Sequence, residues 1–260
     1  MAMFLTHLGT ATLLLEIGPF RLLTDPALGP RGTTGQVLGV ARYKKNESPV
    51  TLVDPLDRLD GTLISHHHHI DNLDPAGWAI ARRSKVVLST LQAARDLGAP
   101  VRGLAPWDTV EIKTTQGDSL KITATPAQHG PAFLNRLTGP VVGFVIESPE
   151  FKNGAIYITG DTVYFNGIQE VARRFKIGTL IPHAGRAHFG VTPFIDYTMS
   201  AEGAVQVIEA IQPKTVLPVH YAGWSHFKEG KNALQQAFTA HALPQTIKWL
   251  PLGQKTDIDV

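Results

Sequence analysis

The chain has 260 residues, 43% of them hydrophobic, with 24 basic and 22 acidic side chains and a formal net charge of +2. That supplies one sizeable core and excludes the strong positive field used by proteins that bind nucleic acid. The absence of cysteine excludes disulfides and every thiolate metal site, so any ligand set must come from His, Asp, Glu or Asn.

Residues 1–5, Met1-Ala2-Met3-Phe4-Leu5, lack the basic start and long apolar stretch of a secretory signal. No apolar run approaches the roughly 20 residues needed to span a bilayer, so a cytoplasmic protein without a membrane span is expected. The first half predicts short strands at Phe4–Leu8, Thr12–Ile17, Phe20–Thr24, Leu63–Ser65, Val86–Leu88, Thr109–Lys113 and Leu120–Thr125. These are apolar segments, several rich in β-branched residues, bounded by Gly, Pro or Asp. Between Phe20–Thr24 and Leu63–Ser65 lies a segment from Leu28 to Pro49 with little periodicity and the cluster Arg42-Tyr43-Lys44-Lys45. It reads as a long surface loop, either a lid or an idle insertion.

Helices are predicted over Leu73–Arg82, with Asp74 and Pro75 at its start, and over Thr90–Leu97, stopped by Gly98. More strands follow at Val141–Glu147, Ala155–Ile158, Thr179–Ile181 and Thr215–Pro218. Ser200 can cap a helix running to about Ile211, and Lys228–Ala240 reads as the last helix. Alternating strands and helices favour a layered α/β fold, with residues 1–260 forming one domain.

The chemistry concentrates in His66-His67-His68-His69-Ile70-Asp71-Asn72-Leu73-Asp74. A leftover purification tag is discounted because such scars lie at termini or in linkers, whereas this run sits inside a strand-to-helix junction. If the run continues the strand, alternate side chains share a face, which groups either His66 with His68 or His67 with His69. Only the second pair is followed two residues later by an acid, so the spacing selects His67, His69 and Asp71. Further candidates stand just after other apolar runs: His129 after Leu120–Thr125, Asp161 after Ala155–Ile158, and His220 after Thr215–Pro218. Singly, each could be an ordinary turn or loop residue. Their recurrence at strand ends points to one metal site.

This ordered set resembles the metallo-β-lactamase superfamily. The opening His7-Leu8-Gly9-Thr10-Ala11-Thr12-Leu13-Leu14-Leu15-Glu16, followed by Leu23-Thr24-Asp25-Pro26, is similar to the branch containing L-ascorbate-6-phosphate lactonase and N-acyl-phosphatidylethanolamine phospholipase D. The resemblance implies a four-layered αβ/βα sandwich with its site at the loops between two sheets. It also implies that His67, His69 and His129 hold a first metal, that Asp161 bridges, and that Asp71 and His220 hold a second. The family's usual Asp-His is Asp71-Asn72 here, so Asn72 would offer the second metal a carbonyl oxygen, a weak zinc ligand. One or two divalent ions are implied, zinc first, with manganese or iron as alternatives.

The expected activity is a metal-dependent hydrolase in which a metal-bound hydroxide cleaves a small ester, lactone or phosphodiester. Asp71 would orient that nucleophile or accept its proton. From their place after Thr179–Ile181, His183, Arg186 and His188 read as rim residues. Arg186 would clamp an anionic substrate and His188 would polarise an oxyanion. Tyr221, with Trp224 and His226, would wall the pocket, although packing explains the aromatics equally well. The alternatives are a di-iron oxidoreductase, or a metal-binding protein that has lost catalysis. A small-molecule substrate is expected and no nucleic-acid partner. Homo-oligomers are common among similar proteins, but no stripe here marks an interface.

Overall fold

The computed structural model describes residues 2–260 except 38, 40, 51–55, 135–137 and 193. Two seven-stranded sheets face each other. In the first, β1 (Met3–Gly9), β2 (Thr12–Ile17) and β3 (Phe20–Thr24) form an antiparallel meander. Parallel pairing extends it through β6 (Gly61–Leu63), β7 (Val87–Thr90) and β8 (Val101–Leu104), and β16 (Lys255–Ile258) closes the far edge against β1. The second sheet repeats the design. Antiparallel β9 (Thr109–Lys113), β10 (Ser119–Pro126), β11 (Val142–Glu147) and β12 (Ala155–Ile158) are extended by parallel β13 (Ile177–Ile181), β14 (Thr215–Val216) and β15 (Thr246–Ile247).

The inner faces of both sheets supply one core, with Leu5, Leu13, Leu22, Leu63 and Leu88 meeting Ile122, Phe144, Ile156, Ile181 and Val219. Because neither face of the central strands meets water, their sequences are continuous apolar runs rather than alternations. On the outer face of the second sheet pack α3 (Asn166–Arg174), α4 (Ala201–Ile211) and α5 (Lys231–Ala240). On the outer face of the first lie α1 (Pro75–Ala81) and α2 (Leu91–Leu97). The layers are therefore α/β/β/α, the fold that the sequence led us to expect.

The helix starts follow their capping chemistry. Asp74, Thr90 and Ser200 each accept a hydrogen bond from the backbone amide three residues on, satisfying a donor that the first turn leaves open. Several elements lie where no element was expected. The segment 28–49 carries an antiparallel hairpin, β4 (Thr34–Val37) and β5 (Ala41–Lys44), in place of a structureless loop. Strand β8, helix α3 and the edge strands β15 and β16 are among the others. Among the described residues no helix is long and apolar enough to cross a membrane.

Candidate metal centre

Strands β3, β6, β10, β12, β13 and β14 all end at the same rim. That geometry brings Asp25, Ser65–Asn72, His129, Asp161, His183 and His220 together from distant parts of the chain. The strand β6 stops at Leu63, and residues 65–72 run through bends and turns. Two bonds fix that exit: the Ser65 amide and hydroxyl both donate to Asp25 Oδ1, at 2.7 and 2.9 Å.

The turn changes which histidines converge. His66 Nε2 lies 3.0 Å from His69 Nδ1, and His129 Nε2 lies 3.0 Å from the same atom. These three rings form one candidate ligand group. His67, selected by strand alternation, is not brought to it; its Nε2 faces Asp96 Oδ2 at 2.9 Å on the outside of the protein. His66 stands in its place, fully buried. The physical reason is that the two-residue alternation applies only while the chain stays extended, and here it does not. His68 turns to the Thr138 carbonyl.

The chemistry of this group can be read from its hydrogen bonds. His129 Nδ1 donates to the Tyr197 carbonyl at 2.7 Å, so its Nε2 presents a lone pair. The Ser65 hydroxyl is committed to Asp25, so His66 Nδ1 donates to Ser65 Oγ at 3.0 Å and its Nε2 is also a lone pair. Two lone pairs thus aim at His69 Nδ1, an arrangement that a cation relieves. Burial pushes all three rings below the ordinary histidine range, His69 to about 3, which keeps them in the neutral form that binds metal. The residues fit a divalent cation.

A second group, Asp71, Asp161 and His220, lies beside the first. His220 Nδ1 donates to the Ala184 carbonyl at 3.2 Å, leaving Nε2 buried and unpartnered, 3.5 Å from Asp71 Oδ2 and 3.4 Å from Asp161 Oδ1. Asp161 Oδ2 lies 3.9 Å from His66 Nε2, so this carboxylate spans the two groups. Burial lowers the proton affinity of His220, but Asp161 and Asp71 outweigh it and carry the imidazole to about 9. Burial likewise raises both carboxyls, and their imidazole neighbours overcome it, holding each well below the usual range.

Asn72 contributes differently from the expected carbonyl ligand. Its Nδ2 donates to Asp161 Oδ1 and Ser65 Oγ, both at 3.3 Å, and its Oδ1 is buried without a partner. His183 Nδ1 donates to Asp161 Oδ1 at 3.1 Å, so His183 lies behind the carboxylate rather than on a substrate rim. Asp25, under the Ser65 turn, is pushed up to about 8 by burial, with the Asp161 charge adding to it.

Three other expected substrate residues lie away from the cluster. Arg186 is held by Asp196 at 2.8 Å and Glu229 at 3.1 Å, beside the start of α4. His188 donates to the Ile195 carbonyl at 3.1 Å. Tyr221 packs edge-on against Trp249 in the core under α4 and α5. In their stead, the cavity over His69, Asp71, His129 and Asp161 is walled by Val37, Tyr43, Ala187, Phe189, Tyr197 and His226. His226 Nε2 donates to Asp71 Oδ2 at 3.0 Å, and its ring stacks on Phe189 with centroids 5.2 Å apart.

A family model described as the beta-lactamase superfamily domain matches residues 20–221. The chain belongs to the metallo-β-lactamase superfamily. Within that superfamily it is similar to a UPF0173 metal-dependent hydrolase of Pelotomaculum thermopropionicum, 27% identical over 98% of this chain and 100% of the relative. Two solved structures share the superfamily fold over nearly their whole length. One is an isothiocyanate hydrolase from Delia radicum gut bacteria, with a TM-score of 0.79, 21% identity, and coverage of 98% of this chain and 99% of that one. The other is a possible metal-dependent hydrolase of Veillonella parvula, with a TM-score of 0.82, 18% identity and full coverage of both chains.

Proposed function

We propose that this chain is a metal-dependent hydrolase of a small, uncharged ester or lactone. The observation that carries the reading is the pair of adjoining donor groups spanned by Asp161, opening onto a cavity whose walls are aromatic and apolar. A divalent cation held there by His66, His69 and His129 would supply the acidity that brings water to hydroxide near neutrality. Zinc suits that all-imidazole set; the oxygen-rich group of Asp71, Asp161 and His220 suits zinc or manganese. The curated relatives named as metal-dependent hydrolases support the reaction type.

Each nearby residue then has a task. Asp71, oriented by His226, faces the cavity and accepts the proton of the attacking water. Asp161 spans the two donor groups, and Asn72 and His183 hold its carboxylate in that orientation. Val37, Phe189 and Tyr197 exclude bulk water. A phosphodiester is disfavoured, because among the described residues lining the cavity none is Lys or Arg and Arg186 is already paired. An isothiocyanate, the substrate class in one structural relative's name, is a small neutral electrophile as well.

The test is elemental analysis of protein purified without added metal. Turnover is then measured on an aryl acetate, a five-membered lactone and a bis-aryl phosphate, before and after chelation. Chelator-sensitive hydrolysis of the ester or lactone, exceeding that of the phosphate, is expected. Activity on the phosphate alone, or activity indifferent to chelation, refutes the proposal.

A further inference from the structure

The segment 28–49 ends as a built structure over the site. The hairpin β4–β5 is stitched to the loop after His220: Lys44 N donates to Ser225 Oγ at 3.0 Å, Ser225 N to the Lys44 carbonyl at 2.9 Å, and Asn46 N to the Gly223 carbonyl at 2.7 Å. Lys45 runs back into the interior, its Nζ donating to the Ala27 carbonyl at 2.5 Å and lying 5.6 Å from the Trp224 ring. This anchoring fixes Tyr43, the β5 residue between Arg42 and Lys44. Tyr43 pairs with Gly35 across the hairpin, and the phenol lies over that glycine, where any side chain would collide with the ring.

Tyr43 is only 3% exposed and lines the same cavity as Asp71 and Asp161. Its ring is wedged between His226 (centroids 4.5 Å apart), Trp224 (5.4 Å) and Phe189 (5.7 Å). The phenol shares this cavity with the Asp71 carboxylate.

We propose that Tyr43 is a catalytic residue: its hydroxyl donates to the substrate's carbonyl oxygen as that oxygen gains negative charge. This deepens the hydrolase reading and rests on it. When water adds to the carbonyl carbon, the C=O π pair moves onto oxygen, where the phenol O–H meets it, and the phenol keeps its proton. The water's proton passes to Asp71, which faces the same cavity. On collapse the C–O bond to the leaving group breaks, and the departing oxygen recovers that proton. One well-placed neutral donor to an oxyanion is worth about 10²–10³-fold in rate where its loss has been measured at the upper end.

The experiment is Tyr43→Phe, which keeps the ring in its aromatic cage and removes one oxygen. Metal content and melting temperature are measured first, then kcat and KM on a neutral ester. The affinity of the metal-loaded protein for phenylboronic acid, whose tetrahedral borate resembles the attacked carbonyl, is measured by calorimetry. The expected result is unchanged metal content, a 10- to 100-fold fall in kcat with KM altered less than 3-fold, and a comparable fall in boronate affinity. Phe189→Leu, which alters a wall without a donor, should move KM more than kcat. Unchanged kcat in Tyr43→Phe, a loss explained by lost metal, or no boronate binding even to the wild type overturns the proposal. If wild type binds boronate through Tyr43 yet turns over no ester or lactone, the hydrolase reading fails and the role of Tyr43 as a donor stands.

Discussion

The histidine register is decided by comparing His66→Ala with His67→Ala. A closed four-ligand zinc site contributes about 10–16 kcal/mol at neutral pH, so one ligand is worth roughly 3–4 kcal/mol, or about 10²–10³-fold in affinity. His66 is wholly buried, and its Nε2 is one of the two lone pairs converging on His69. Its removal leaves two imidazoles and should weaken the tightest-bound cation by that factor. His67 instead makes a 2.9 Å pair with Asp96, whose side chain is 46% exposed. A pair so open to solvent is worth at most about 1 kcal/mol to stability and nothing directly to a cation. His67→Ala should therefore shift metal affinity less than about 3-fold. Competition against a chromogenic chelator of known affinity reads both values on the same scale. Equal losses in the two variants, or a larger loss in His67→Ala, would refute the turn geometry and restore strand alternation.

Asn72→His should place an imidazole beside Asp71, Asp161 and His220 and raise the bound-metal stoichiometry from one towards two, read by elemental analysis; an unchanged ratio counts against that placement. Arg186→Ala should cost less than about 1 kcal/mol of stability and lower kcat/KM equally for neutral and anionic substrates, since its guanidinium already serves Asp196 and Glu229 at a partly exposed site; a selective loss for anions would show otherwise. Asp25 gives a pH signature in the metal-free protein. Its folded proton affinity, at about 8, exceeds the unfolded value of 3.8, so the folded state holds more protons between those limits. Its contribution is complete below about pH 3.8 and is lost as pH rises through about 8. Asp25→Asn, which cannot ionise, should melt with a flatter dependence between pH 6 and 9, by several degrees; parallel melting curves would contradict this.

Much of the fold was legible because buried strands announce themselves. Thr12–Ile17 and Phe20–Thr24 are apolar runs cut by Gly18-Pro19 and Asp25-Pro26, and they form strands with those bounds. The elements that escaped notice lack such signals. Val101–Leu104 is short and contains Arg102 and Gly103, and it becomes a strand only because β7 offers it a parallel edge. Helix α3 begins Asn166-Gly167 with no side-chain cap on its first turn. The β4–β5 hairpin is glycine-rich, and its order comes from contacts with residues 223–225, far away in sequence. At the site, the structure brings His129, Asp161 and His220, singled out by their place after strands, to one rim, because strands of like direction in facing sheets end there together. The structure brings His66 rather than His67 beside His69 and His129, because strand geometry does not extend past Leu63, where Ser65 is bonded to Asp25 and the chain bends. Tyr43 carried no local signal; an aromatic in a polar loop gains meaning only once the loop is seen to fold back.

The six donors are drawn from both halves of the sandwich: His66, His69 and Asp71 leave the first sheet, while His129, Asp161 and His220 leave the second. An ion seated among them would act as a rivet through the seam. Its departure would loosen both leaves at once, so metal scarcity would govern how long the protein survives proteases as much as how fast it works.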